Sequence, residues 1–159
     1  MQIGAYRHSI DLINGNSMSE SDISPKPTLI NPPGLYDPAP NGYSHVAVVP
    51  GGARLAFIAG QGGETEDGRL SADFREQVRQ AMDNLLIAIA AAGGHSSQVA
   101  KLTVLIVDHN EQRLAILGEE LARAFGGEMK PACTLIPVPR LALDGMLFEV
   151  DAVVVLPEA

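Results

Sequence analysis

Two carboxylates stand two residues apart in the last apolar run of the chain, Met146-Leu-Phe-Glu-Val-Asp-Ala-Val-Val-Val-Leu156. Strand alternation puts Glu149 and Asp151 on one face with Leu147, Val153 and Val155. Carboxylates are costly to bury without partners, so a strand this apolar must hold them for a reason. Their Cα atoms would lie about 6.5–7 Å apart, a spacing that suits a pair of acid/base groups. Glu149 reads either as a general acid/base placing a water, or as a buried acid tied to backbone amides or to a neighbouring subunit's Arg. Asp151 reads as a structural or interface carboxylate.

The other candidates are single groups. Cys133, in Pro131-Ala-Cys-Thr-Leu-Ile136, is the chain's one thiol. Nothing near it in sequence supplies a base or a positive helix end, so it reads as a small buried hydrophobe rather than a nucleophile. Tyr43 is placed to stack on or hydrogen-bond a ligand, or else to serve as an interface aromatic. His45 lies two residues along on the same face and reads as structural, with general base as the alternative. His95 and His109 stand at element ends and read as surface groups or caps. The four His, at 8, 45, 95 and 109, have no ligand spacing, so no metal site is expected. Gly60-Gln61-Gly62-Gly63 lacks the strand–loop–helix context of a phosphate cradle and reads as a permissive turn. Arg140 reads as a solvated loop residue.

Composition narrows what these groups serve. A chain of 159 residues with 46% hydrophobic content is one domain with a sizeable core, built from Ala, Val, Leu and Ile because Trp is absent. The net charge of −8 argues against nucleic acid as the main partner. A single Cys excludes an intrachain disulfide, no stretch reaches membrane-spanning length, and no basic-then-apolar start marks secretion. Cytoplasm is the expected compartment.

The elements that must position these groups follow from pattern. Residues 1–29 are polar and aperiodic and read as a flexible extension, with Met18 an alternative start. Ile30 to Gly42 is Pro-rich and turn-rich. Tyr43–Val49 and Arg54–Ala59 read as strands joined by Pro50-Gly51-Gly52-Ala53 into a hairpin. Asp73 with Glu76 reads as a capping box opening a helix with Phe74, Val78, Ala81, Leu85 and Ile89 at helical spacing, stopped by Gly93-Gly94. Val99–Val107 is a strand. Glu111–Phe125 is a helix with Leu114, Leu117, Leu121 and Phe125 on one face, stopped by Gly126-Gly127. Ala132–Val138 and Met146–Val155 close the domain through the Asp144-Gly145 turn, and the Cys133 strand is expected to pair with the Glu149 strand. The order β-β-α-β-α-β-β gives an α+β fold, a mixed sheet with two helices packed on one face. Its uncovered face is also apolar, which predicts a homo-oligomer.

The ordered series Tyr43-Ser-His, Ala59-Gly-Gln61, Asp73-Phe with Gln77, Asn84-Leu with Ala91-Ala-Gly93, Val99-Ala-Lys-Leu-Thr103, Pro131-Ala-Cys-Thr134 and Glu149-Val-Asp-Ala152 resembles the RidA/YjgF family, also called endoribonuclease L-PSP. The resemblance runs from about Ile30 to Pro157, a single RidA-like domain over residues 30–157. It implies a chorismate-mutase-like fold, a homotrimer, and clefts between subunits that hold small ligands. It also implies hydrolysis of reactive enamines and imines without metal or cofactor. By position it makes Glu149 the catalytic, water-placing acid, and Tyr43, Cys133, Ala59 and Gln61 the substrate-binding residues. Two slots depart from the family: Cys133 stands where an Arg grips the substrate carboxylate, and Ala59 where a Ser lines the pocket. A thiol cannot replace the paired charge-assisted bonds of an Arg fork. The substrate is therefore not expected to be a simple 2-imino acid. The alternative is a non-catalytic trimer that binds a metabolite or a protein, and ribonuclease activity ranks third given the acidic charge.

Overall fold

The computed structural model describes residues 25–127 and 129–157. Most of the extension read from the sequence, residues 1–24, lies outside them. The elements are β1 (Thr28–Ile30), β2 (Val46–Val48), β3 (Arg54–Gly62), α1 (Phe74–Ala91), β4 (Val99–Val107), α2 (Glu111–Phe125), β5 (Ala132–Val138) and β6 (Phe148–Leu156), with short 3-10 turns at Ala39–Asn41 and Ser96–Gln98. The two helices and β4 and β5 fall where apolar period and glycine stops place them. β1 begins within the stretch assigned to the extension.

A four-stranded sheet runs in the order β3-β6-β4-β5, with β4 and β5 parallel and the other pairs antiparallel. Two pairings differ from expectation. β2 pairs with β1 in a separate ribbon, whereas β3 pairs along its length with β6. Pro50-Gly51-Gly52-Ala53 is a turn, with Ala53 N bonded to Pro50 O at 3.4 Å, but it passes the chain between two sheets rather than closing a hairpin. A nine-residue apolar partner outweighs the three residues that β2 offers. The Cys133 strand does not touch the Glu149 strand either, because β4 lies between them. The parallel β4–α2–β5 unit sends β5 to the sheet edge.

Both helices cover one face. Val78, Met82, Leu85 and Ile89 of α1 and Leu117 and Leu121 of α2 pack with Leu102, Val104 and Ile106 of β4 and Phe148, Val150 and Val154 of β6. Burying each such side chain contributes about 1.5–3 kcal/mol. The N-terminus of α1 departs from a simple capping box. Asp73 Oδ1 accepts from Glu76 N at 2.9 Å, but the Glu76 carboxylate takes Ser71 Oγ, and Ser71 Oγ in turn accepts from Asp73 N. The reciprocal half of the cap is thus relayed through Ser71.

Among the described residues the opposite face has no helix. Leu55 and Phe57 point to it from β3, and Phe57 is 77% exposed. Among the described residues no helix is long and apolar enough to cross a membrane.

Candidate functional site

Register and alternation divide the candidate residues between the two faces of the sheet. Glu149 pairs with Leu105 on one side and Gly62 on the other, and shares the uncovered face with Asp151. Cys133 pairs with Leu102 and packs against the core on the helix-covered face. One protomer therefore holds its predicted site residues in two groups.

The first group is built on a bulge. The β3–β6 register shifts between Ile58 and Gln61, so Ala59 and Gly60 arch out of the ladder. Glu149 lies across that arch. A Cβ on Gly60 would meet its carboxylate, falling 2.7 Å from Cδ. The glycines at this strand exit are needed for space rather than for a turn: a Cβ on Gly63 would lie 2.6 Å from Gln77 Cα. Gln61 donates its amide to Ala59 O at 3.1 Å, and neither residue reaches the Cys133 group. The two acids have different partners. Asp151 Oδ1 accepts from Thr103 N at 3.2 Å, which makes it a backbone tie. Among the described residues the Glu149 carboxylate has no ion pair and no hydrogen bond, and it is only partly buried.

The second group lines a cavity of about 410 Å3 between α2 and the edge strand β5. Leu114, Leu117, Leu121 and Leu135 form its apolar wall, and Asn41, Tyr43, His109, Cys133 and Thr134 its polar rim. Tyr43 arrives through Gly42, which ends the 3-10 turn in the left-handed region at φ 77°. Buried Ser44 fixes it there: Ser44 N bonds Pro131 O at 3.1 Å and Ser44 Oγ bonds Lys130 O at 2.6 Å, laying this segment beside the start of β5. Tyr43 OH hydrogen-bonds Tyr36 OH, and its ring meets His45 edge-on at 5.6 Å. His45 bonds Tyr36 O at 2.8 Å and does not line the cavity, so its role is to hold the aromatic cluster. Burial pushes the Cys133 thiol up to about 11, with Lys101 pulling it partly back and Asp151 adding to the rise. A neutral thiol on an apolar wall matches the small-hydrophobe reading.

Among the other expected bystanders, His95 caps the Ser96–Gln98 turn and Arg140 pairs with Asp144 at 2.9 Å in an exposed loop. His109 differs from its surface-or-cap reading. It follows Asp108, whose φ of 49° turns the chain from β4 into α2. It is partly buried and lines the cavity, and its buried Nδ1 has no hydrogen-bond partner among the described residues.

Two positioning residues appear in the sequence only as members of the family series. Gln77, fully buried, donates to Ser71 O at 2.7 Å and Gly145 O at 2.8 Å and accepts from Leu147 N at 2.8 Å, setting the start of β6. Asn84 donates to Gly62 O at 3.0 Å and Glu64 O at 2.8 Å, setting the exit of β3. The signal was available in the pattern: Gln77 interrupts an otherwise apolar helix face, and a polar group there must meet unpaired backbone.

The comparisons with known proteins agree with this architecture. The family model described as Endoribonuclease L-PSP matches residues 36–156. RutC family protein YjgH of Escherichia coli strain K12 is 35% identical over 104 residues, 65% of this chain and 77% of that protein. A Rid-family protein of unknown function from Yersinia pestis, YyfB, superposes with a TM-score of 0.78 at 30% identity, over 82% of this chain and 99% of that one. The E. coli protein TdcF, solved with bound serine, superposes with a TM-score of 0.58 at 25% identity, over 77% and 91%.

Proposed function

Because the chain belongs to the Rid family (YjgF, endoribonuclease L-PSP), we propose that it hydrolyses a small imine or enamine, with Glu149 activating the attacking water. The observation that carries this reading is the contrast between the two acids of β6. Asp151 is tied to the Thr103 amide, whereas Glu149 has no partner among the described residues and lies across a glycine. A carboxylate held in place but not neutralised is what a general base requires. In the reaction Glu149 takes a proton from water as the water oxygen attacks the C=N carbon. Glu149 passes that proton to the nitrogen, giving a carbinolamine, then takes the carbinolamine hydroxyl proton and delivers it to the nitrogen as the C–N bond breaks, leaving a carbonyl and ammonia.

The working unit in this reading is a homotrimer. Phe57 and Leu55 extend an apolar surface beside Glu149 that a second copy would cover. The cleft then joins the Glu149 group of one subunit to the Tyr43–Cys133 cavity of its neighbour. Sedimentation as a monomer at low micromolar concentration would remove that cleft.

Ammonia release from freshly generated imines, coupled to a dehydrogenase, tests the chemistry. Glu149→Gln should lower turnover on the order of 100-fold or more with an unchanged melting temperature. Equal turnover by the variant would sink the mechanism. A second reading, a trimer that binds a metabolite without turning it over, is favoured by the missing carboxylate clamp. It predicts ligand binding by both wild type and variant and ammonia release by neither.

A further inference from the structure

Water activation by Glu149 leaves the nitrogen of the C=N bond unheld, and a second carboxylate stands beside the first. Gly60 and Gly62, two residues apart on β3, direct the places of their missing side chains to the uncovered face, Gly62 in register with Glu149. A Cβ on Gly60 would meet the Glu149 carboxylate, whereas a Cβ on Gly62 would meet Glu64, touching Oε2 and falling 3.1 Å from Cδ. The two carboxylates thus lie side by side on a glycine floor, over strand positions about 6.5–7 Å apart. That interval takes a C=N group with its nitrogen at one acid and its attacking water at the other.

Glu64 is fixed over Gly62 by its backbone. Its carbonyl accepts from Asn84 Nδ2 at 2.8 Å, and it bridges to Leu70 across the turn that follows β3. It is partly buried, and among the described residues its carboxylate has no ion pair and no hydrogen bond. The cation nearest along the chain, Arg69, pairs with Asp67 at 2.7 Å. A carboxylate placed this way is free to accept from an N–H group of a ligand. We propose that Glu64 is a second catalytic residue, accepting a hydrogen bond from the substrate nitrogen while Glu149 handles the water, a role that rests on the hydrolase reading. Positive charge develops on the nitrogen as Glu149 protonates it and the C–N bond breaks, and a carboxylate in contact with it stabilises that charge. Glu64 takes up no proton in the cycle, so the balance of the reaction is unchanged. The substrate class is thereby narrowed to imines and enamines whose nitrogen carries hydrogen, and N,N-disubstituted enamines are excluded.

Benzamidine and benzamide share one shape, but benzamidine alone presents a cationic C=N group with N–H donors on both nitrogens. Calorimetric titration of the full chain should show benzamidine binding at least about tenfold more tightly than benzamide. Glu64→Gln should weaken benzamidine about tenfold, leave benzamide within about threefold, and melt within a few degrees of wild type. Gly62→Ala pushes the same carboxylate aside without removing it and should also weaken benzamidine about tenfold. Equal binding of the two probes, binding of neither, or unchanged benzamidine affinity in Glu64→Gln would each overturn the assignment. Turnover separates this role from the hydrolase reading. Benzamidine binding that depends on Glu64, with no ammonia released from any imine, keeps Glu64 as the nitrogen-binding group and removes the hydrolase. Ammonia release that is lost in Glu149→Gln but unchanged in Glu64→Gln keeps the hydrolase and overturns the role of Glu64.

Discussion

Glu149 of β6 lies across Gly60 in the β3 bulge so closely that a Cβ on the glycine would sit 2.7 Å from the carboxylate carbon. The obstructing atoms are the far end of a flexible side chain, so the fold survives an alanine by moving Glu149 aside. Gly60→Ala should therefore reduce imine hydrolysis at least tenfold while the melting temperature stays within a few degrees of wild type. Gly63→Ala is the contrasting control, because its Cβ would strike the Gln77 backbone 2.6 Å away and the helix would have to shift. That variant should lose stability outright. Full activity in Gly60→Ala would mean that the position of Glu149 does not matter to the chemistry.

Gln77 gives a second prediction, on stability. Replacing it with Leu keeps the volume but removes the side-chain partner of Leu147 N, Ser71 O and Gly145 O. Three hydrogen bonds from one fully buried amide are lost together, so Gln77→Leu should cost roughly 2–4 kcal/mol in urea denaturation. A cost below about 0.5 kcal/mol would show that water replaces the side chain there.

These two residues also mark where the sequence was legible and where it was not. Helix α1 was readable because Phe74, Val78, Ala81, Leu85 and Ile89 repeat at helical spacing and all are buried. Strand pairing was not, because period-2 patterning assigns faces but not neighbours. Nothing local in Tyr43–Ala59 announces that β3 prefers β6, or that β4 comes between Cys133 and Glu149. The site suffered most from this. Glu149, Tyr43 and Cys133 were recognisable by position, but their division between two faces follows only from sheet order. His109 was misread for a related reason: its burial depends on how α2 and β5 flank it, which spacing along the chain does not encode.

The helix pair carries a pH dependence. Glu120 is 2% exposed and accepts from Arg79 Nη2 at 2.9 Å and Arg123 Nε at 2.6 Å. Burial pushes its pKa up, but the hydrogen bonds and charges of Arg79 and Arg123 outweigh that and hold it below the ordinary 4.5. A folded value below the unfolded one stabilises the fold above the unfolded pKa, and this contribution disappears as pH falls through the folded value. Thermal melts should be flat in this respect at neutral pH and decline below about pH 4.5. Glu120→Gln should melt several degrees lower at neutral pH, since both guanidinium groups then face a neutral amide, and should show a shallower acid decline. Parallel acid declines in the two proteins would move the effect to other carboxylates.

Cys133 carries the opposite sign. Burial raises its folded pKa to about 11 against an ordinary 9.0, so the fold favours the protonated thiol. That preference is fully present below the unfolded value and is lost as pH rises through the folded one. Wild type should therefore lose stability relative to Cys133→Ala between about pH 9 and pH 11. Only about a thousandth of the thiol is ionised near pH 8, so iodoacetamide should modify it on the order of 100-fold more slowly than a free cysteine. Cys133→Ser should retain imine hydrolysis within a few-fold, because the side chain walls the cavity and attacks nothing. Rapid alkylation at neutral pH together with inactive Cys133→Ser would make the thiol a nucleophile and replace Glu149-assisted water attack with a covalent route.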